Sequence, residues 1–118
     1  MAQALGAREV QGIQMKPHAG PDLALAARAW IHSSDYVDMT FRQAALLSLI
    51  CDEPGPHRVR ELARSLGVEK PVVSRGLDTF GSIGLAKRVS DPEDRRSVLI
   101  EATAFGRSIR EAMRLGDG

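Results

Sequence analysis

Cysteine, aromatic residues and long apolar runs are scarce in this sequence of 118 residues. Its single cysteine, Cys51, excludes an internal disulfide and fits a reducing cytoplasm. Aromatic residues make up only 4% of the chain, so a core has to rely on Leu, Val, Ile and Ala. No apolar run approaches the roughly 18 residues of a membrane span, and no signal peptide opens the sequence. We therefore expect one domain of ordinary size in the cytoplasm, away from membranes.

Patterns typical of catalysis and metal binding are also missing. His18, His32 and His57 lie in separate segments without the spacing of metal ligands. No glycine-rich phosphate loop and no grouped nucleophile, base and acid are recognisable. Cys51 ends an apolar stretch, where a thiol more often packs as a small hydrophobe than senses oxidants, and the chain has no second cysteine to resolve an oxidised form. We therefore predict no catalytic residue, no metal and no cofactor, and a protein that is not an enzyme.

The net charge of +1 is unevenly distributed. Residues 58–97 contain nine basic and six acidic side chains, whereas the remainder contains seven basic and nine acidic ones. An excess of three positive charges is modest for a protein that binds nucleic acid. Charge alone therefore does not decide the function.

The first half of the chain predicts an arm followed by two helices. Residues 1–20 have no steady period, and we expect a flexible N-terminal arm there, followed by a single domain over residues 21–118. Asp22 is a good N-cap for a helix over Leu23–His32, which is apolar on most sides and needs burial or a partner. Thr40 and Gln43 form a capping box for a second helix. That helix ends near Asp52, ahead of a proline-glycine-proline breaker.

Residues 59–76 have the pattern of a helix-turn-helix. Three small or aliphatic residues share one face of the first helix, which Gly67 can end in a left-handed conformation. Pro71 is tolerated in the first turn of the second helix, because first-turn amides lack intrahelical partners. The inward-facing residues of the two helices are Leu62, Ala63, Leu66, Val73, Leu77 and Phe80.

The residues pointing outward at the start of the second helix are candidates for contacts with base edges. They are Lys70, Pro71, Val72, Ser74 and Arg75. Arg75 could pair with guanine through two hydrogen bonds, Ser74 could reach a base or a phosphate, and Val72 could touch a thymine methyl group. Arg58 and Arg60, near the start of the first helix, are better placed for phosphates.

Two glycines interrupt the second helix. Gly76 stands where such helices usually carry a packed aliphatic residue, so either the helix is loosened or another element comes close; the indole of Trp30 is one candidate. Gly81 should cost about 1 kcal/mol relative to alanine.

A β-hairpin and a last helix are expected after Gly84, which closes the second helix. Leu85–Val89 and Val98–Ala102 alternate as strands do, and Asp91 with Pro92 starts the turn between them. Thr103 caps the C-terminal helix. Its inward-facing residues are predicted to be Phe105, Ile109, Ala112 and Met113.

The combined pattern resembles the MarR family of bacterial winged-helix transcription regulators over about residues 40–110. The fold implied is mostly α with a small β-hairpin wing, a winged helix-turn-helix. The residues that carry the resemblance are Leu62-Ala63, Val73-Ser74-Arg75, Leu77-Asp78, Gly84-Leu85, Arg88, Asp91-Pro92, Asp94-Arg95-Arg96, Thr103 and Gly106.

The resemblance implies roles for residues of the wing. Arg96 would insert into the minor groove from the wing tip, beside Arg95. Asp78 would pair with Arg96 and hold it in place, and Asp94 would stiffen the loop without touching DNA.

The function implied is a sequence-specific regulator, in the first instance a repressor, that binds a short pseudo-palindrome in double-stranded DNA as a homodimer. It would lie in the bacterial cytoplasm, nucleoid-associated when bound. The chain runs only about four helical turns beyond Thr103, so we expect a short form with truncated dimerisation helices. The Leu23–His32 helix and the C-terminal helix would then form a smaller two-fold interface, and a small-molecule effector is doubtful.

A second hypothesis belongs to another class. The modest charge, the two glycines in the second helix of the helix-turn-helix and the short flanking helices are compatible with a winged-helix module that binds another protein and does not read DNA.

Overall fold

Residues 20–114 are described by the computed structural model, and they form five helices and one antiparallel hairpin. The predicted N-terminal arm lies, apart from its last residue, outside this range. In chain order the elements are α1 Leu23–His32, α2 Phe41–Asp52, α3 Val59–Leu66, α4 Lys70–Ile83, β1 Ala86–Asp91, β2 Asp94–Ala102 and α5 Ala104–Ala112. The prediction of a mostly helical winged helix-turn-helix is confirmed. No helix within these residues is long and apolar enough to cross a membrane.

Side-chain caps begin three of these helices at the residues predicted. The Asp22 carboxylate accepts a hydrogen bond from the Leu25 amide at 3.0 Å. Thr40 and Gln43 bond to each other's backbone amides in a complete capping box. The Thr103 hydroxyl accepts from the Gly106 amide at 2.9 Å. These contacts span three residues, so the local sequence is enough to predict them.

The core lies around α2, which packs against α3, α4, α5 and the hairpin. Leu47 of α2 and Phe80 of α4 are fully buried at its centre. Gly67 and Gly84 end α3 and α4 with φ of 68° and 82°, in the left-handed region where glycine carries no steric penalty. The predicted helix-turn-helix is thus present with its inward-facing residues in the core.

Leu46 of α2, and not Trp30, faces Gly76. A Cβ at Gly76 would lie 3.0 Å from Leu46 Cδ2, so the missing side chain lets α2 approach α4 closely. The Trp30 ring instead packs edge-on against Tyr36, with ring centroids 5.6 Å apart. Our candidate was wrong because Leu46 of α2 takes the place beside Gly76, while Trp30 belongs to α1, a helix without a buried residue.

Both strands of the hairpin extend further toward the turn than the alternation predicted. Ser90 pairs with Val98 and the next residue, Asp91, pairs with Asp94. Three residues of β2, from 95 to 97, therefore have no partner in β1 and form an irregular bulge. The bulge consists of polar residues only, so it lacks the alternation of apolar and polar residues by which the strands were predicted.

Phe105 is 48% exposed, contrary to the predicted inward face of α5. Gly106 faces the core in place of Phe105, whereas Ile109 is buried as predicted. Gly106 packs directly on the Leu85 backbone, an approach that a larger residue would block.

At the other end of α5, Arg110 donates a hydrogen bond to Asp52 of α2 at 2.7 Å. This contact holds the pKa of the Asp52 carboxyl below its usual range.

Replacing Gly81 with alanine is expected to stabilise the fold by about 0.5–1 kcal/mol. Nothing lies within 4 Å of the position that its Cβ would take, so alanine gains helix propensity without a clash. Urea unfolding followed by circular dichroism would measure the change. Gly106→Ala is the contrasting variant, since its Cβ would overlap the Leu85 carbonyl and should destabilise the protein. A loss of stability in Gly81→Ala would contradict a regular helix at this point.

Candidate nucleic-acid interface

The exposed side of α4 begins at its first turn. Pro71 takes a first-turn position, and Lys70 and Arg75 are exposed, whereas Val72 and Ser74 are half-buried. Val73 and the later core residues hold the opposite side of the helix against α2 and α3. Arg75 forms no ion pair within the part of the chain that the structure describes. Its guanidinium is therefore available to an anion or to a base edge.

Arg88 of β1 fixes the hairpin beside α4. Its guanidinium lies 3.1 Å from Asp78 Oδ1 and donates to the Ser74 carbonyl oxygen at 3.4 Å. The expected pair between Asp78 and Arg96 is not formed. Arg88 lies in the strand next to α4, whereas Arg96 lies in the bulge near the far end of the hairpin. Asp78 is therefore close to Arg88 and not to Arg96. Asp78 thus positions the root of the hairpin instead of its tip.

Asp91 makes a second attachment, which the sequence reasoning missed. This carboxylate is only 8% exposed. It accepts hydrogen bonds from the Arg58 guanidinium at 2.7 Å and from the Glu93 amide at 2.9 Å. An aspartate ahead of a proline often bonds the backbone two residues on, so the turn was readable from the sequence, but the arginine was not.

Arg58 therefore has a different place from the one expected. It was predicted to contact phosphate, but its side chain is bonded to Asp91 and ties the start of α3 to the hairpin. Arg60, in the first turn of α3, is exposed. Of the two arginines, Arg60 is the one whose side chain remains open to a phosphate.

The tip of the hairpin presents two arginines to solvent. Asp94 accepts a hydrogen bond from the Arg96 amide at 3.1 Å and from the Ser97 hydroxyl at 3.3 Å. These bonds order the backbone of the bulge. The Arg96 side chain is 96% exposed, with Nε 3.9 Å from Asp94, and Arg95 is exposed beside it. The local backbone is held while the cationic ends remain free to reach outward.

A groove of about 190 Å³ runs along the other side of α4, between that helix and the first turn of α2. Arg75 and Arg42 are the two cations that line it, and Thr79 and Gln43 also belong to its lining. Arg42 was not among the predicted site residues. Helix α4 thus has the hairpin on one side and a second arginine on the other.

Cys51 lies near the C-terminal end of α2, away from the groove that Arg42 lines. Its thiol is half-buried, 4.0 Å from the Gly106 carbonyl oxygen, and burial raises its pKa. A raised pKa lowers the thiolate fraction at neutral pH. No group of three His, Cys, Asp or Glu side chains suited to a metal ion occurs among residues 20–114.

A helix exposed at its first turn, with an arginine-bearing hairpin fastened beside it, defines the winged helix-turn-helix class of DNA-binding domains. The sequence profile of the MarR family matches residues 37–97, more than half of the chain. The protein belongs to the MarR family, whose members are DNA-binding transcription regulators and not enzymes.

The chain is similar to other transcriptional regulators in sequence and in structure. The uncharacterised HTH-type transcriptional regulator YxaD of Bacillus subtilis is 37% identical over 71 residues, which cover 60% of this chain and 50% of YxaD. The chain thus spans about half the length of this curated relative. Among solved structures, the transcriptional regulator Tm0710 of Thermotoga maritima matches with a TM-score of 0.59 and 34% identity, over 63% of this chain and 51% of that one.

A second structural match is CouR of Rhodococcus jostii, solved with p-coumaroyl-CoA. It has a TM-score of 0.64 and 27% identity, over 78% of this chain and 62% of that one. A further structure shows the transcriptional repressor CouR bound to a 23-mer DNA duplex, with the same TM-score and identity, over 78% and 64% of the two chains.

Proposed function

We propose that this protein is a sequence-specific repressor that reads double-stranded DNA with α4 in the major groove and the hairpin in the minor groove. The observation that carries the proposal is the Arg88 contact to Asp78 and Ser74, which fixes the hairpin beside the exposed side of α4. A rigid pair of elements can engage two adjacent grooves without losing much conformational entropy on binding.

In the major groove, Arg75 would carry most of the base discrimination. Arginine forms two hydrogen bonds with guanine O6 and N7, the commonest specific contact. Ser74 and Val72 would add a hydroxyl contact and a contact with a thymine methyl group, while Lys70 and Pro71 approach the backbone at the helix start. Arg60 would bind a phosphate and set the register of the domain.

In the minor groove, Arg96 would insert its guanidinium, with Arg95 at the adjacent backbone. Narrow minor grooves have an enhanced negative potential that attracts arginine. Asp94 orders the bulge, Asp78 acts through Arg88, and Arg58 acts through Asp91. These five residues would position the wing without touching bases.

We further propose a homodimer built through α1, with residues 21–118 forming a single domain. No residue of α1 is buried, although Leu23, Leu25 and Ile31 are all apolar. With Phe41 and Met113, the inner side of this helix lines an apolar groove of about 390 Å³. A second copy of the chain would cover this surface, so a small-molecule effector would have to share it.

Repression is the outcome that the CouR–DNA complex supports, since that relative is a repressor bound to a duplex. Selection of bound duplexes from a random pool would test the whole proposal. It should recover two inverted half-sites with centres about 34 Å apart, one helical turn of DNA. Failure to bind any duplex at low salt, together with a stable complex with another protein, would favour the protein-interaction module instead.

Replacing Arg96 with alanine is expected to weaken operator binding about tenfold and to lower its dependence on salt. Each wing of a dimer would lose one cation from the minor groove. Titrations by fluorescence polarisation between about 50 and 200 mM salt would measure both effects. An unchanged salt dependence would contradict the wing contact.

A further inference from the structure

We propose that Arg42 is a further DNA-contacting residue, which binds a backbone phosphate on the side of α4 opposite the hairpin. This inference rests on the proposed function, because it presumes that α4 enters the major groove. It concerns a residue that neither the helix-turn-helix pattern nor the wing pattern contains.

The two sides of α4 face different neighbours. Ser74 and Asp78 lie on the side of the hairpin, where both meet Arg88. Val72, Gly76 and Thr79 lie on the other side and line the groove that α4 shares with the start of α2. Arg75 lies between these two sides and also reaches the groove.

The close approach of α2 to α4 brings Arg42 to this groove. Leu46 packs 3.0 Å from the Cβ position of Gly76, so the helices are nearly in contact there. Arg42 precedes Leu46 by one helical turn and therefore lies on the same face of α2. The lining of the groove includes Arg42 together with Arg75, which confirms this placement.

The electrostatics of Arg42 call for an external anion. Arg42 lies in the first turn of α2, where the helix dipole disfavours a cation. The first turn contains no acidic residue to compensate. Arg42 is exposed and has no ion pair with any of the residues 20–114. A phosphate bound to Arg42 would offset this unfavourable interaction with the helix dipole.

The geometry of B-DNA places a phosphate on that side. The major groove is about 12 Å wide, and a helix with its side chains has a diameter of about 10–12 Å. A helix that enters the groove therefore has a phosphate backbone along each side. The hairpin covers the backbone on the Ser74 side, and Arg42 faces the one on the Thr79 side.

The test compares Arg42→Ala with Arg107→Ala by fluorescence polarisation, on a selected operator and on an unrelated duplex. Arg107 of α5 is a matched control because it is exposed and lies near Cys51 and Asp52, at the end of α2 opposite to Arg42. Arg42→Ala should weaken binding about three- to tenfold on both duplexes and lower the salt slope by about 0.9 per protomer. Arg42→Lys should restore most of the slope, because it restores the charge.

The outcomes separate this inference from the proposed function. If Arg42→Ala binds like Arg107→Ala while Arg75→Ala loses the operator, the phosphate contact is overturned and the DNA-reading function stands. A loss confined to the operator would also overturn it, since a phosphate contact carries no sequence information. If the unsubstituted protein binds neither duplex at low salt, the proposed function itself fails. Equal thermal unfolding of the variants excludes a folding defect.

Discussion

Arg75→Ala should abolish operator recognition while leaving most of the non-specific DNA binding intact. A bidentate arginine–guanine pair contributes about 1–3 kcal/mol of discrimination, and a homodimer would lose two of them. The expected loss of operator affinity is therefore at least about 30-fold. Arg75 is exposed on α4 and forms no ion pair among the described residues, so its removal should not disturb the fold. Competition titrations of operator against unrelated duplex would measure the loss.

Arg75→Lys is the informative control for this variant. Lysine keeps the charge but lacks the planar fork that matches guanine. It should retain the salt dependence of the unsubstituted protein and still lose discrimination. Equal weakening on operator and unrelated duplex would instead assign Arg75 to a phosphate, contrary to the proposed base contact.

Ile31→Glu should convert the protein from a dimer to a monomer and weaken binding to the full operator at least about 100-fold. Ile31 is 57% exposed and lines the apolar groove of α1, so a charge there would be buried without a partner in the proposed interface. The loss on DNA follows because a monomer holds one half-site at a time. Light scattering should show the mass of one chain, 12.8 kDa, in place of twice that value.

Ala29→Glu is the matched control, since Ala29 is exposed on α1 but does not line the groove. It should leave both the mass and the DNA affinity unchanged. Binding to an isolated half-site should be similar for Ile31→Glu and the unsubstituted chain. An Ile31→Glu protein that remains a dimer would show that the contact between copies lies elsewhere.

The wing illustrates which parts of the site could be predicted. The turn at Asp91 and the arginines at its tip belong to a short contiguous pattern, so their place in a hairpin followed from the sequence. The ion pairs that hold the wing could not be predicted from the sequence, because their partners belong to different elements. Arg58 precedes Asp91 by 33 residues, and Arg88 competes with Arg96 for Asp78.

Arg42 was not predicted as a site residue for a related reason. Its neighbours in sequence belong to a capping box, which explains the start of α2 and draws no attention to the arginine. Its position beside Arg75 depends on the packing of Leu46 against Gly76. The one local signal was a cation in a first turn without an acidic residue, where the helix dipole disfavours it.

By itself, the sequence determined where most helices begin and end, which residues of α3 and α4 face the core, and the class of protein. These properties depend on caps, glycines and apolar spacing within one or two helical turns, and such interactions form whatever the distant chain does. The tertiary structure alone decided the pairing of Asp78 with Arg88, the burial of Asp91 against Arg58, and the place of Arg42 beside α4. Ion pairs between elements form where oppositely charged groups lie within about 4 Å of each other. Only the packing of the elements against one another sets that distance.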